Sequence, residues 1–441
     1  MNYMQEVCSI DRVERSICGF ITFHYVMSGV LWLFSGVPAL NNFSILVSLL
    51  NWLVYFGWII KLYPNLKARS YNTIVHSYVA FLFLYVIAIV ISLLRNNPID
   101  IMLKHDALWT LVYFLPIGLA AYSIRNHAAL YKMMYKYSFI ISLCCSIIFV
   151  VHILDPFRSY DMTFGYTLLV PTLFHYSYFF SRNRKLWVLF VAIIETLMLL
   201  LYGSRGVFIA IAVFFVIRFY FLSQKKNNKG IIVLVVGFVG VFFTYSGPKL
   251  LNDYLESKDI YSRTLMAFLD PDYDQTENRN EWWVAGFDLI EKNPILGYGL
   301  GGYYYDFYNQ MIANDPSKKY VFDPIERDYY KAVPTYGGCH SGFLELLIFF
   351  GVFIGGPLAC WLLLSIFKIK RRSNRDIIEL FIIFYSIYII PNMIVSSGFH
   401  YKPGCAIYIF LLLSYIKRLK NRENNVDNIG NPPLIQTQRV N

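Results

Sequence analysis

Apolar stretches of about 20 residues follow one another along most of the chain, and short polar connections separate them. A stretch of about 20 apolar residues is long enough to cross a hydrocarbon core of roughly 30 Å as a helix. Such stretches lie at residues 17–37, 43–60, 73–94, 107–124, 137–154, 162–181, 186–203, 205–222, 230–247, 341–367, 376–397 and 403–416. The pattern predicts an all-α integral membrane protein with about 12 transmembrane helices.

Composition supports this class of protein. Of the 441 residues, 57% are hydrophobic and 15% are charged, and the mean hydropathy is +0.46. A water-soluble fold cannot bury so large an apolar fraction. The seven cysteines are scattered, mostly inside apolar stretches, and their spacing matches neither a disulfide framework nor a metal site.

The positive residues alternate between the two sides of the predicted membrane. Every second connection is basic, and these connections carry Arg12, Arg15, Lys61, Lys67, Arg69, Arg125, Lys132, Lys136, Arg182, Arg184, Lys185, Arg218, Lys225, Lys226, Lys229, Lys368, Lys370, Arg371, Arg372, Arg375, Lys417, Arg418, Lys420 and Arg422. The other short connections carry only Arg95, Lys104, Arg158, Arg205 and Lys402. By the positive-inside rule, both termini are predicted to face the cytoplasm.

The net charge of +11 therefore reflects membrane orientation, and a nucleic-acid-binding function is excluded because no soluble domain carries a basic and aromatic surface.

One connection is much longer than the others. Residues 248–340 contain 15 of the 28 acidic residues and are predicted to lie outside the cytoplasm. Long loops of this kind usually have a function. The predicted organisation is thus residues 1–247 with nine transmembrane helices, 248–340 as a large, partly helical outer loop, 341–417 with three more helices, and 418–441 as a polar cytoplasmic tail that is disordered from Asn421 onward.

Three sequence motifs carry candidate chemistry. His340-Ser341-Gly342-Phe343-Leu344, followed after six residues by Gly351, places an imidazole where the large loop meets the membrane. A single histidine at an interface is more often a hydrogen-bonded polar residue than a catalyst, so both interpretations stay open. A second motif contains an arginine and lies between two apolar stretches that are otherwise nearly continuous: Tyr202-Gly203-Ser204-Arg205-Gly206. Ionisable residues at membrane depth are usually functional, although this arginine could instead reach the lipid headgroups.

The third motif lies in the large loop. It comprises Arg279, then Trp283 after three residues, then the run Asn293-Pro294-Ile295-Leu296-Gly297-Tyr298-Gly299-Leu300-Gly301. Residues 281–290 have helical periodicity, and their apolar face is predicted to comprise Trp282, Trp283, Gly286, Phe287 and Ile290. Pro294 and the glycines are predicted to end this helix in a tight turn. They are a weak nucleotide-binding signal because no strand precedes them, and the glycines are instead predicted to allow close backbone packing.

The order of these motifs resembles the bacterial O-antigen ligase and O-antigen polymerase superfamily. The motifs that carry the resemblance lie within residues 202–351. The arrangement of about 12 transmembrane helices with one large outer loop extends the resemblance to the whole chain. It implies a glycosyltransferase of the bacterial inner membrane that acts without a metal or another cofactor. The expected donor is an oligosaccharide linked to undecaprenyl diphosphate, and the expected partners are the lipid bilayer and a chain-length regulator protein. It also implies that Arg205 and Arg279 bind the diphosphate and that His340 is the catalytic base.

Other residues are secondary candidates. Arg263 is a third candidate for the diphosphate, although it could equally pair with Asp259. Glu195 is expected to be a buried structural partner of another polar group rather than the base. His400 and Lys402 could face the same cavity, and their roles stay open. An aromatic cluster could stack on sugar rings or form an interfacial belt; it contains Tyr303, Tyr304, Tyr305, Phe307 and Tyr308.

Several functions compete. Polymerase and ligase differ in the acceptor, which is another lipid-linked repeat unit for the polymerase and the lipid A core for the ligase. We favour the polymerase because the chain is rich in Tyr, Phe, Ile and Asn. A flippase or transporter for lipid-linked oligosaccharides would place charges along a central pathway, whereas the candidate residues here gather at one face. A membrane scaffold without catalysis is the remaining alternative.

Overall fold

The computed structural model describes residues 12–35, 115–183, 185–202, 205–222, 277–314, 339, 341–370, 373–394 and 403–430, with isolated helical positions between 53 and 64 and between 86 and 94. Within these residues all regular structure is helical, and no strand occurs.

The first half of the described chain forms α1 (Arg12–Ser35), α2 (Leu115–Ser123), α3 (His127–Leu154), α4 (Met162–Tyr178), α5 (Leu186–Tyr202) and α6 (Arg205–Leu222). The second half forms α7 (Glu277–Lys292), α8 (Gly299–Asn314), α9 (Gly342–Leu364), α10 (Arg375–Phe384), α11 (Ile390–Ile394) and α12 (Pro403–Gly430). A short π-helical segment, Tyr385–Ile389, joins α10 to α11.

Three of the described segments are long and apolar enough to cross a membrane: His127–Val150, Gly342–Lys368 and Arg375–Ile394. Helices α4, α5 and α6 begin at the residues that the apolar pattern predicts. The all-α membrane class is therefore confirmed in the described residues. The predicted helix at 230–247 lies outside them, and those at 43–60 and 73–94 are described only at isolated positions.

Helix α1 begins at Arg12, five residues before the predicted start at 17, and two other helices extend further beyond their predicted bounds. Helix α3 begins at His127 rather than at 137, because Asn126 precedes it and its Oδ1 accepts the Ala129 N–H at 3.0 Å. Helix α12 continues to Gly430, through ten residues predicted to be disordered. Its polar extension contains Lys, Arg, Glu and Asn and no proline, and helix-compatible residues need no apolar face to continue a helix already begun.

The main apolar core is built by α1 to α6 and α9 to α12, with Phe20, Phe174, Phe214, Phe381 and Tyr408 fully buried. At one end of this bundle, the carboxylate of Glu14 accepts the backbone N–H groups of Arg125 and Asn126 at 2.6 and 2.7 Å. Arg418 donates to the Arg125 carbonyl oxygen. Connections that the charge pattern assigns to one side of the membrane thus meet at one end of the bundle.

A buried ion pair joins α6 to α10. The Arg218 Nε and Nη2 atoms both lie 3.0 Å from Glu379 Oε1, and both residues are buried. The Arg218 guanidinium also lies 4.8 Å from the centre of the Phe180 ring. The Nη2 atom of Arg375 donates to the Phe180 carbonyl oxygen at 2.7 Å. Because a buried charge without its partner is costly, this pair fixes the register of α6 against α10.

Candidate functional site

The described residues contain the backbone of two predicted site residues. Arg205 is the first residue of α6, and Arg279 is the third residue of α7; the side chains of both lie outside the described part of the chain, as do His340 and Arg263 altogether. Helix α5 ends at Tyr202 and α6 begins at Arg205, close to the bounds of the two predicted apolar stretches, and residues 203 and 204 lie outside the described part of the chain. The surroundings of these residues define the candidate site.

Ser341, the residue after His340, anchors the start of α9. Its side chain accepts the Leu344 N–H at 3.5 Å, and its Oγ donates to the Met393 carbonyl oxygen at 3.0 Å. Gly342 lies so close to α11 that a Cβ atom there would be 2.5 Å from the Asn392 carbonyl oxygen. The serine and the glycine of the His-Ser-Gly sequence therefore hold the chain beside His340 against α11.

Helix α6, which begins at Arg205, contacts the same short helix, α11. The pairing of Arg218 with Glu379 gives the antiparallel register of the two segments. Moving 13 residues back from Arg218 reaches Arg205, and moving the same number forward from Glu379 reaches Asn392. Helices rise about 1.5 Å per residue, so both steps cover a similar length. We infer that the backbone at Arg205 and the backbone beside His340 lie against the same end of α11.

Helix α7, which carries Arg279, packs beside Cys339. A Cβ atom on Gly286 would lie 3.4 Å from Cys339 Cβ and 3.6 Å from the side chains of Leu344 and Ile348. These contacts belong to a second apolar core between α7, α8 and α9. Arg279 is seven residues before Gly286, which is about 10 Å along the helix. The helix predicted over residues 281–290 is confirmed as part of α7.

One residue of the predicted apolar face of α7 points elsewhere. Phe287 was expected to be part of this face, but its side chain is 57% exposed. The buried positions are Ala285, Gly286 and Leu289. The small residues Ala285 and Gly286 allow α7 to approach α9 closely, which turns the larger Phe287 outward.

The turn after α7 docks onto a break in α9. Gly351 has φ +69° and ψ 175° within α9, so the helical hydrogen bonding is interrupted there. The Tyr298 N–H donates to the Ile348 carbonyl oxygen at 2.7 Å, and the Val352 N–H donates to the Pro294 carbonyl oxygen at 2.7 Å. The Asn-Pro-x-x-Gly motif and the last glycine of the His-Ser motif thus bind one another through their backbones.

Gly297 and Gly351 are both required by this contact. Gly297 has φ +69°, and a Cβ atom there would lie 2.5 Å from the Ile348 carbonyl oxygen. A Cβ atom on Gly351 would lie 2.0 Å from the Ile295 carbonyl oxygen. Positive φ and backbone contact this close favour glycine at both positions. The prediction that these loop glycines allow close backbone packing is confirmed at Gly297.

Of the aromatic cluster at residues 303–308, the structure describes the side chain of Phe307. Phe307 is buried in the core between α7 and α9, at 4% exposure, so the prediction that it could stack on a sugar is wrong for this residue. The side chains of Tyr303, Tyr304, Tyr305 and Tyr308 lie outside the described residues, as do His400 and Lys402.

The structure adds one residue near the site, Glu345, and one property of Trp283 that the sequence did not predict. Glu345 is buried in the first turn of α9, five residues after His340, and an acidic residue in an apolar helix is a recognisable sequence signal. Trp283 belongs to the Arg-x-x-x-Trp motif, and among the described residues its buried indole N–H has no hydrogen-bond acceptor. The lack of an acceptor for this N–H cannot be read from a sequence.

Glu195 lies within the bundle, where it is 1% exposed. Its carboxylate oxygens both lie 3.0 Å from His175 Nδ1, and Ser142 Oγ donates to Oε1 at 2.5 Å. The expectation that Glu195 is a buried structural partner is confirmed by this geometry, which joins α3, α4 and α5.

We therefore expect Glu195→Gln to retain glycan transfer and lose stability. The amide can still bond to His175 and Ser142, but the charge-assisted bonds are lost, at a cost of about 1–3 kcal/mol. Glycan transfer in cells and thermal unfolding in detergent would measure the two effects. Loss of transfer with unchanged thermal stability would contradict this structural role.

A comparison with known protein families gives a match to part of the chain. The family model described as O-antigen ligase matches residues 188–358, a range that contains all the motifs described above. A search of curated proteins gives no match. The range begins in α5 and ends in α9, and it therefore includes the start of α6, the hairpin of α7 and α8, and the break at Gly351. Residues 188–358 are thus similar to the O-antigen ligase family, which supports the resemblance to the O-antigen ligase and polymerase superfamily.

Proposed function

We propose that this protein is a surface-polysaccharide polymerase of the bacterial inner membrane. It transfers a glycan from undecaprenyl diphosphate to another lipid-linked repeat unit at the periplasmic face. The observation that carries this proposal is the mutual docking of the motifs. The backbones of Pro294 and Tyr298 form hydrogen bonds with α9 on either side of Gly351. Cys339 packs against α7, and Ser341 donates a hydrogen bond to α11.

The reaction requires one bond to form and one to break. A hydroxyl oxygen of the acceptor glycan attacks the anomeric carbon of the donor glycan. The bond between that carbon and the diphosphate oxygen breaks, and the diphosphate leaves with the electron pair. His340 takes the hydroxyl proton as a general base, a role suited to a side chain with an ordinary pKa near 6.5. The products are an elongated lipid-linked glycan and undecaprenyl diphosphate.

Arg205 and Arg279 bind the diphosphate in this proposal, and Arg263 is a third candidate. A guanidinium group binds phosphate oxygens in a bidentate manner and stays charged at physiological pH. Two such groups stabilise the negative charge that grows on the leaving diphosphate. The free energy for transfer is stored in the donor, so we propose that neither a metal nor a nucleotide is needed.

The proposed topology places both termini in the cytoplasm and residues 248–340 in the periplasm. It is supported by the alternation of basic connections. It is also supported by two contacts: Glu14 and Arg418 both bind the backbone of Arg125. The charge pattern assigns Glu14, Arg125 and Arg418 to the same side of the membrane. A chain-length regulator protein is the proposed protein partner, together with the lipid bilayer.

A ligase that transfers the glycan to the lipid A core is the second candidate. It is favoured by the description of the matching family as O-antigen ligase. The two activities use the same donor and the same leaving group, so they differ only in which hydroxyl enters the site.

Deletion of the gene distinguishes the two candidates. We expect the deletion strain to carry a single repeat unit on its lipopolysaccharide core, because attachment continues while polymerisation stops. Gel electrophoresis of lipopolysaccharide measures this, and the restored wild-type gene is the control. Bare core together with accumulated lipid-linked polymer would identify a ligase instead. A normal ladder from the deletion strain would contradict both assignments.

A further inference from the structure

The break in α9 lies within a segment that is long and apolar enough to span a membrane, Gly342–Lys368. A helix interrupted in the hydrocarbon region needs partners for its freed backbone groups, because lipid offers none. The turn between α7 and α8 supplies them: Tyr298 binds the Ile348 carbonyl oxygen, and Pro294 binds the Val352 N–H. The tip of the α7–α8 hairpin, residues 294–298, therefore lies at the depth of Gly351.

That depth can be bounded from both ends of the segment. With a rise of 1.5 Å per residue, the nine residues from Gly342 to Gly351 cover about 14 Å. If about 20 residues ending at Lys368 cross the hydrocarbon core, that core begins near residue 349 and Gly351 lies about 3 Å inside it. Glu291 and Lys292 are exposed and lie about one helical turn before Ile295. The shallower of the two positions for Gly351 is favoured, because it keeps these two charges at the level of the lipid headgroups.

Helix α7 approaches this depth alongside α9. Gly286 contacts Cys339 and Ile348, while the Ile295 carbonyl oxygen lies against Gly351, so the two helices run in the same direction. The chain turns at the tip and returns through α8, whose residues Phe307 and Met311 pack in the same core. The hairpin thus enters and leaves on the side of the membrane where α9 begins.

The tip presents large apolar side chains away from the protein. Ile295 is 62% exposed, Leu296 is 61% exposed, and Phe353, just after the helix break, is 73% exposed. Apolar side chains directed outward at membrane depth are stabilised by hydrocarbon, whereas in water each would expose a large apolar surface.

We propose that the α7–α8 hairpin is a re-entrant membrane element whose tip contacts lipid acyl chains through Ile295 and Leu296, beside Phe353 of α9. This goes beyond the predicted outer loop, which would lie wholly in water. It does not depend on the proposed enzymatic function.

The test compares two positions on the same hairpin by cysteine labelling. Leu296→Cys is at the tip, and Ala313→Cys is an exposed position about 21 Å along α8 from its start. In permeabilised cells, a charged, water-soluble maleimide should label Ala313→Cys at least ten times faster than Leu296→Cys. The parent protein, with its native cysteines, gives the background, and Ile295→Cys replaces Leu296→Cys if that variant does not accumulate.

A second measurement identifies what covers the tip. The purified protein is reconstituted in phosphatidylcholine vesicles whose acyl chains carry a diazirine, and crosslinked peptides are identified by mass spectrometry. We expect acyl-chain crosslinks at residues 295–296. Rapid aqueous labelling of Leu296→Cys would overturn the proposal. Protection from labelling without any acyl crosslink would also overturn it, because the tip would then be covered by protein.

Discussion

Long-chain polysaccharide is expected to disappear from cells in which His340→Ala replaces the wild-type protein. Loss of a general base lowers a transfer rate by about 10²–10⁴-fold, which is enough to leave no visible polymer. Arg279→Ala and Arg205→Ala should have similar effects, since removal of one group that stabilises a leaving charge costs about 10²–10³-fold. Lipopolysaccharide gels measure the polymer.

The controls for this prediction separate chemistry from folding. Each variant should be as abundant in the membrane as the wild-type protein. Arg12→Ala removes a positive charge from the exposed N-terminal end of α1 and should leave the ladder unchanged. Arg279→Lys keeps the charge but loses the bidentate geometry, so we expect it to remain strongly impaired. Normal ladders from His340→Ala and Arg279→Ala would remove the catalytic assignment.

Substitution of Gly351 is expected to produce the largest structural effect. In Gly351→Ala, the new Cβ atom would lie 2.0 Å from the Ile295 carbonyl oxygen, and φ is +69°. Strain of this backbone conformation costs about 1–3 kcal/mol, and overpacking adds about 1–3 kcal/mol. Because the obstructing atoms are backbone, they cannot move aside without breaking the bonds at Pro294 and Tyr298. We expect the α7–α8 hairpin to detach and transfer to be lost.

Gly356→Ala is the matched control, five residues further along the same helix. A Cβ atom there meets only the Leu347 side chain, at 3.8 Å, and the position lies within α9. Alanine in a helix is favoured over glycine by about 0.8–1 kcal/mol, so this variant should be as stable as the wild-type protein or more stable. Thermal unfolding in detergent and limited proteolysis of the hairpin compare the two. Equal behaviour of both variants would contradict the docking.

Part of the fold follows directly from the sequence. Helices α4, α5 and α6 begin where their apolar stretches begin, because a membrane span is defined by length and hydropathy rather than by tertiary contacts. The stop of α7 near Pro294 was also predictable, since proline and glycine act locally. Helix α12 was harder to delimit, because its polar continuation to Gly430 has no apolar pattern.

The candidate site was predictable as a set of motifs but not as an arrangement. The bond between Pro294 and Val352 joins residues far apart in sequence, and no local pattern encodes that pairing. The orientation of Phe287 likewise depends on how closely Gly286 approaches Cys339. Gly351 could be recognised as the last residue of a motif, whereas its positive φ follows from the hairpin that binds there.

The most direct test of the central claim is transfer by the purified protein. The protein is reconstituted in liposomes with an undecaprenyl-diphosphate-linked repeat unit and a metal chelator. We predict elongated lipid-linked glycan and released undecaprenyl diphosphate from the wild-type protein, and neither product from His340→Ala. Equal product from both proteins would contradict the proposed catalytic role of His340. If the folded, reconstituted wild-type protein does not elongate the donor, polymerase activity is contradicted.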